Sequence, residues 1–249
     1  MMTISIIGRG NVASHLLRAF RDAGFDCDMI NPHTLENLRP DRQLYIISVK
    51  DDAIADVASN LHNRLADTDM AGSVVAHTSG GTDISLLQEI FGTEAHTGVI
   101  YPMQTFTKGI EMKYSDIPFL IEGSDSFSLF VISKAASAVS ADVTEADSAM
   151  RTDYHVGAVL ACNFTNFLFT LSDDYLKSRH LDFRKLLPLI RRTCEKIDSV
   201  SPEEAQTGPA VRGDAGVIRR HLDRLSDSPE TAGIYRLLTE QIQRHHNSK

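Results

Sequence analysis

The first two dozen residues constrain this chain most. Residues 3–24 read TISIIGRGNVASHLLRAFRDAG. Ile4, Ile6 and Ile7 make a short buried strand. Val12, Leu16, Ala19, Phe20 and Ala23 then recur at helical spacing, and Gly24 closes the helix. Between them lies Gly8-Arg9-Gly10-Asn11-Val12-Ala13, a G-x-G-x-x-A turn. In a strand–turn–helix setting this pattern points to a dinucleotide. Gly8 allows the tight turn, Gly10 lets a pyrophosphate approach the backbone, and Ala13 lets the helix pack closely on the strand. The helix start offers unpaired N–H groups and a positive dipole end to phosphates. Gly8, Arg9, Gly10, Asn11 and Val12 are therefore the candidate cofactor cradle. The same residues also fit a glycine-rich turn that binds nothing. The flanking strand and helix weigh toward the nucleotide.

The pattern that follows alternates strands with helices. Strands are expected at residues 26–30, 44–49, 73–76, 94–101 and 118–121, with a short last one at 141–144. Helices are expected after Asp51 or Asp52, either of which can cap, and over 83–91 and 127–139. This alternation calls for an α/β fold, a doubly wound, mostly parallel Rossmann sheet. From residue 147 the pattern is helical only, so the chain divides into a Rossmann domain (1–146) and an all-α domain (147–249). A long helix is expected over 149–176 and a second over 184–200, kinked or broken at Pro188. Ser201-Pro202-Glu203-Glu204 is a capping box, Asp214 caps a further helix, and the last helix starts at Ser228-Pro229, with a polar tail from His245.

Ligands of such a sheet lie at the carboxyl ends of its strands. Five candidate segments fall there: the glycine turn, Asn31–Thr34, Val49–Asp52, His77–Gly81 and Tyr101–Gln104. Asn31 stands where a carboxylate would hold the ribose of NAD. With a neutral residue there, a 2′-phosphate fits, and His33, Thr34 and Arg9 can contact it. The expected cofactor is NADP, with NAD second; Asn31 is equally suited to capping the turn before Pro32. Val49 lies on the cofactor's path. Ser79 can donate to a substrate or the cofactor, or serve only as a helix-entry turn. Tyr101 and Gln104 put polar groups at another strand end, or belong to a Pro-bearing turn with Phe106 as a buried aromatic.

On an ideal helix His155, Val159, Cys162 and Asn166 fall within about 40° of one another, with Asn163 beside them. Buried polar groups need partners, at about 1–3 kcal/mol each if left without. Neighbouring helices can supply them. Alternatively His155 and Asn163 face a cleft between the domains, where a histidine suits a proton relay. Arg212, in the loop before Asp214, suits a carboxylate or phosphate, or an ion pair with Asp214.

Composition excludes several classes. The 249 residues are 42% hydrophobic and 23% charged, with a formal net charge of −8 that argues against nucleic-acid binding. The first 146 residues carry 10 basic and 19 acidic side chains (net −9), the remainder 15 and 14 (net +1). Cys27, Cys162 and Cys194 show no metal-ligand or disulfide spacing, so no metal is expected and a cytoplasmic location fits. The apolar stretch 156–171 is too short and too polar to be read as a membrane span. It reads as a buried helix, one that a domain of about 100 residues does not bury alone, hence an expected homodimer through the helical domain.

The chain also resembles a bacterial family of proposed NADP oxidoreductases, a Rossmann-like domain followed by a helical domain of unknown function. The resemblance is carried by IGRGNVA (7–13), SVKDDAI (48–54), HTSG (77–80), YPMQTF (101–106), YHxxAxxAxN (154–163) and TGPAVRGD (207–214). It is distantly similar to pyrroline-5-carboxylate reductase, prephenate dehydrogenase and the 3-hydroxyacid dehydrogenases. The resemblance implies NADP binding and hydride transfer to or from a small polar metabolite, with Ser79, His155, Asn163 and Arg212 around the substrate. Two positions depart. Val159 stands where the 3-hydroxyacid dehydrogenases carry a catalytic lysine, and Tyr101 stands where the bacterial family has a histidine. The missing lysine favours a rival reading, a non-catalytic NAD(P)-binding redox sensor or assembly subunit. A flavin as ligand is a third.

Overall fold

The computed structural model describes residues 1–93 and 95–247. Among these the chain forms two compact units, Met1–Phe164 and Thr165–Lys249. The first is an α/β sandwich. Its strands are β1 (Thr3–Ile7), β2 (Asp26–Ile30), β3 (Leu44–Ile47), β4 (Val74–His77), β5 (Thr97–Pro102), β6 (Phe119–Gly123) and β7 (Val143–Glu145). The expected start of the fifth strand, Glu94, lies outside the described residues. The helices are α1 (Asn11–Asp22), α2 (Ile54–Arg64), α3 (Ser85–Phe91), α4 (Ser126–Ser137) and α5 (Ser148–Ala158).

The sheet order is β2-β1-β3-β4-β5-β6-β7, parallel except for the antiparallel β5–β6 pair. It is the doubly wound Rossmann-type arrangement expected from the sequence. Because strand side chains alternate between faces, the core splits in two. Ile4, Ile6, Ile46, Ala76 and Ile100 pack with Leu16 and Phe20 of α1 and Ile132 of α4. Ile7, Tyr45, Ile47 and Val75 pack with Val57 and Leu61 of α2 and Leu87 of α3. Strands covered on both faces read as continuous apolar runs, as LYII of β3 does. The order reverses between β1 and β3, and such a switch point leaves a crevice at the carboxyl ends of the two strands.

Caps follow the sequence only in part. Gly24, at φ 84°, ends α1 as expected. Neither Asp51 nor Asp52 caps α2; these residues form a 3-10 turn, Asp51–Ala53, without a side-chain cap. Asp125 caps α4 in a reciprocal box with Ser128.

From Ser148 the chain is helical. The expected single helix is interrupted: α5 passes into a π segment, Val159–Phe164, and then into α6 (Thr165–Ser178), at whose start the second unit begins. That unit continues with the 3-10 turn Phe183–Leu186, α7 (Leu187–Lys196), α8 (Pro202–Ala205), α9 (Ala215–Arg224) and α10 (Pro229–Asn247). Pro188 does not kink a helix. It sits in the first turn of α7, where its missing N–H has no partner to lose. The Ser201 box and the Asp214 cap form as expected.

The burial expected for residues 156–171 does not occur in the single chain. Val156, Leu160, Phe164 and Phe167 are each more than half exposed, as are Leu181, Leu189, Ile197 and Leu237. No helix among the described residues is long and apolar enough to cross a membrane.

Candidate functional site

The crevice at the switch point is built by three strand ends. Ile7 O accepts from Ser48 N–H (2.9 Å), Gly8 N–H donates to Ile30 O (3.1 Å), and Thr78 Oγ1 is 3.2 Å from Ser48 Oγ. These bonds draw the glycine turn, the β3 end and the β4 end together. A Cβ on Gly8 would overlap the Ser48 carbonyl, so the first glycine is required by backbone approach. Gly10 differs. A Cβ there would meet no protein atom within 4 Å, and α1, which it precedes, has no side-chain cap and no acidic residue in its first turn. Protein packing does not require that glycine, and the space beside the helix start is open to a ligand. The cavity is about 480 Å³, lined by Arg9, Gly10, Asn11 and Val12, by Ser48, Val49, Lys50 and Asp51, and by Thr78, Ser79 and Gly80. Neither Arg9 nor Lys50 has an ion-pair partner among the described residues, which leaves two cations beside the helix start. Lys50 was not singled out in the sequence, because an exposed lysine after a strand carries no distinguishing signal.

A second cavity of about 890 Å³ adjoins it, with Val12, Thr78, Tyr101, Gln104, Phe106 and His155 lining both. Its far wall is α5 and the π segment, with Val159, Cys162 and Asn163. Val159 and Asn163, four residues apart on one helix face, line the same cavity.

At the junction the Tyr101 hydroxyl lies 3.0 Å from His155 Nδ1, with the rings edge to face at 5.7 Å. Gly80 makes this possible. A Cβ there would stand 2.6 Å from His155 Nδ1 and 2.9 Å from the Tyr101 ring. The space left by that glycine is therefore filled by the two side chains and not by a ligand. Burial pushes the Tyr101 phenol up, and the charge of Asp51 adds to this, so the hydroxyl keeps its proton at neutral pH. The sequence marked Tyr101 and His155 separately, but residues 54 positions apart show no pairing signal.

Ser79 is buried, and its Oγ accepts from Gly81 N–H (3.1 Å) and Thr82 N–H (3.0 Å), the helix-entry role foreseen as its alternative. Ser79 still lines the first cavity. Asn31 Oδ1 accepts from His33 N–H at 3.1 Å, the turn-capping role, and Asn31 lines neither cavity. Arg212 belongs to the second unit, in the turn 208–213 where its N–H donates to Gly208 O. No group of three or more His, Cys, Asp or Glu among the described residues could hold a metal ion.

Two buried groups support the loop 77–84 from behind. His77 Nδ1 accepts from Ser79 N–H at 3.1 Å. Burial, reinforced by the charge of Arg151, lowers the His77 pKa to about 3, so the folded ring is neutral. The unfolded ring titrates near 6.5 and binds the extra proton. Stability is therefore full above pH 6.5 and falls as pH drops from there toward 3, by up to about 1.4 kcal/mol per unit. Urea denaturation from pH 7 to 5 is expected to show this slope in the wild type and to show it reduced in His77→Asn; equal slopes contradict it. The second group is Arg151, fully buried on α5, which pairs with Glu122 of β6 and donates to Thr82 O (2.6 Å) and Ser148 Oγ (3.0 Å). Nothing in the sequence set Arg151 apart from the exposed arginines of the helical half.

The fold and these cavities define a Rossmann-type α/β protein with a nucleotide-sized crevice at the switch point. Residues 117–242 match the family model described as Domain of unknown function (DUF2520), and the chain belongs to that family. It is 33% identical to a Bacteroides fragilis protein whose crystal structure is named "putative NADP oxidoreductase", over 98% of both chains and with a TM-score of 0.89. Two more distant structures share the fold. One is a Streptomyces aurantiacus imine reductase (13% identity, 99% of this chain and 95% of that one, TM-score 0.66). The other is a Plasmodium falciparum pyrroline carboxylate reductase with NADP bound (13%, 98% of both chains, 0.58). No protein of curated function matches the chain.

Proposed function

We propose that this protein is an NADP-dependent oxidoreductase that moves a hydride to or from a small polar metabolite. The observation that carries this is the open space at Gly10 before an uncapped helix start. The name of the Bacteroides relative and the NADP in the Plasmodium structure support it. The N–H groups following Gly8, Arg9 and Gly10 would hold the pyrophosphate, and Arg9 and Lys50 would neutralise phosphate charge. The neutral β2 tip at Asn31, with His33 and Thr34, leaves room for a 2′-phosphate. When bound, NADPH supplies the hydride. The chain's own task is then the proton. In the reducing direction Tyr101, protonated and hydrogen-bonded to His155, would give that proton to the substrate heteroatom, with Asn163 and Cys162 lining the substrate side. Ser79 Oγ would bound the cofactor from the β4 end. Thermal stabilisation by NADPH is expected to exceed that by NADH; equal shifts, or none, count against the NADP assignment.

One observation favours a second reading. Val159, not a lysine, lines the substrate cavity, which suits a redox sensor or assembly subunit that binds NADPH without turnover. NADPH oxidation by any member of a panel of hydroxyacids' keto forms and cyclic imines decides for the enzyme.

The many exposed apolar side chains of the helical half support a homodimer that covers them, since large exposed apolar surface marks an interaction site. A single-chain mass by light scattering at micromolar concentration contradicts this. Composition and the absence of a spanning helix among the described residues are compatible with the expected cytoplasmic location.

A further inference from the structure

An antiparallel pair such as β5–β6 needs a turn of only about two to five residues. Here residues 103–118 separate the two strands. Met103 N–H donates to Pro118 O (2.9 Å), which ties the ends of the segment together. The body of the segment is strapped to α1. Asn11 Nδ2 donates to Phe106 O at 2.9 Å. One turn on, the buried His15 ring joins Thr107 O through Nε2 (2.9 Å) and the Tyr114 hydroxyl through Nδ1 (3.0 Å). The His15 ring also packs on Phe106, centroids 5.1 Å apart. Residues 11 and 15 lie on one helix face, so both anchors act on the same stretch of strap. A connection much longer than its strands require, and held in place by a neighbouring helix, points to a function. The part these anchors fix is Phe106, half-buried and lining both cavities.

A dinucleotide on this sheet places its adenosine ribose at the β2 tip and its pyrophosphate on the glycine turn. Its other half then runs toward the β4 and β5 ends, where the two cavities meet. We propose that Phe106 is the wall against which the nicotinamide ring is set, and that Asn11 and His15 are positioning residues holding it there through the strap. The proposal rests on the NADP reading and adds to it what orients the reactive ring.

The test compares NADPH with 2′,5′-ADP, which keeps the adenosine with its 2′- and 5′-phosphates and lacks the second phosphate, the nicotinamide ribose and the nicotinamide. It includes 2′-phospho-ADP-ribose, which lacks the nicotinamide alone and is expected to be bound by each variant as 2′,5′-ADP is. All three are titrated calorimetrically into wild type, Phe106→Leu and Asn11→Ala. Phe106→Leu is expected to weaken NADPH about tenfold and to leave 2′,5′-ADP within about twofold. Asn11→Ala is expected to show the same selective loss. Equal losses for NADPH and 2′,5′-ADP would make Asn11 a phosphate contact and overturn the proposal, as would unchanged NADPH affinity in Phe106→Leu. The 2′,5′-ADP titration shows that each variant is folded. Wild type that binds none of the three removes the NADP reading, and the strap proposal with it.

Discussion

Gly8→Ala is expected to destabilise the first unit by about 3 kcal/mol or more and to abolish stabilisation by NADPH. The added methyl would overlap the Ser48 carbonyl oxygen and crowd its carbon, both backbone atoms at the end of β3. A flexible side chain could swing away; a carbonyl fixed in a parallel sheet cannot. Relief requires β1 and β3 to part near the bond from Ser48 N–H to Ile7 O, beyond the ordinary 1–3 kcal/mol of overpacking. The same movement misplaces the start of α1, so stability and cofactor response should fall together. Gly10→Ala is the internal comparison. Its methyl meets no protein atom, so stability should change little. Urea denaturation and NADPH thermal shifts of the two variants check this. A Gly8→Ala protein as stable as wild type would contradict the tight approach of Gly8 to the Ser48 carbonyl.

Arg151→Met is expected to cost about 3–5 kcal/mol. Arg151 is wholly buried and Glu122 nearly so, and removing the cation leaves a carboxylate in a poorly solvated site. It also strips the donor from Thr82 O and loosens the loop after β4, whose Ile84 N–H is held by the same Ser148 hydroxyl (3.1 Å). Removing both charges should hurt less than removing one, because a buried pair costs much of its attraction in desolvation. The double variant Arg151→Met/Glu122→Leu should therefore recover most of the loss. A denaturation cycle over the four proteins measures the coupling. Additive losses would show that the pair is not coupled and that Arg151 acts through Thr82 alone.

The parts of the fold legible in the sequence were those fixed by local pattern. The isoleucines of β1, the glycine turn and the stripe of α1 are adjacent in sequence, so periodicity alone places them. Strand ends were legible for the same reason, and the doubly wound class follows from their alternation with helices. The pairing of distant residues was not. Tyr101 and His155 meet because Gly80 leaves room between β4 and α5, a fact of packing with no trace in spacing. The face through His155, Cys162 and Asn166 assumed 3.6 residues per turn, and the π segment at Val159–Phe164 breaks that assumption. Ser79 and Asn31 were ambiguous because short polar side chains serve backbone turns and ligands equally well; both make the turn contacts. The exposure of the long helix was missed because an apolar stripe says that a face is covered without saying by what.

Whether the glycine turn is a cofactor cradle is tested most directly at Gly10. A large acidic side chain at Gly10 points into space that the protein itself does not use, so Gly10→Glu should leave the melting temperature of the free protein nearly unchanged. It should also place a carboxylate where phosphate binds. Calorimetric titration with NADPH is predicted to give saturable binding to wild type and none to Gly10→Glu. Absence of binding to wild type, or equal binding to both proteins, would contradict a cradle there.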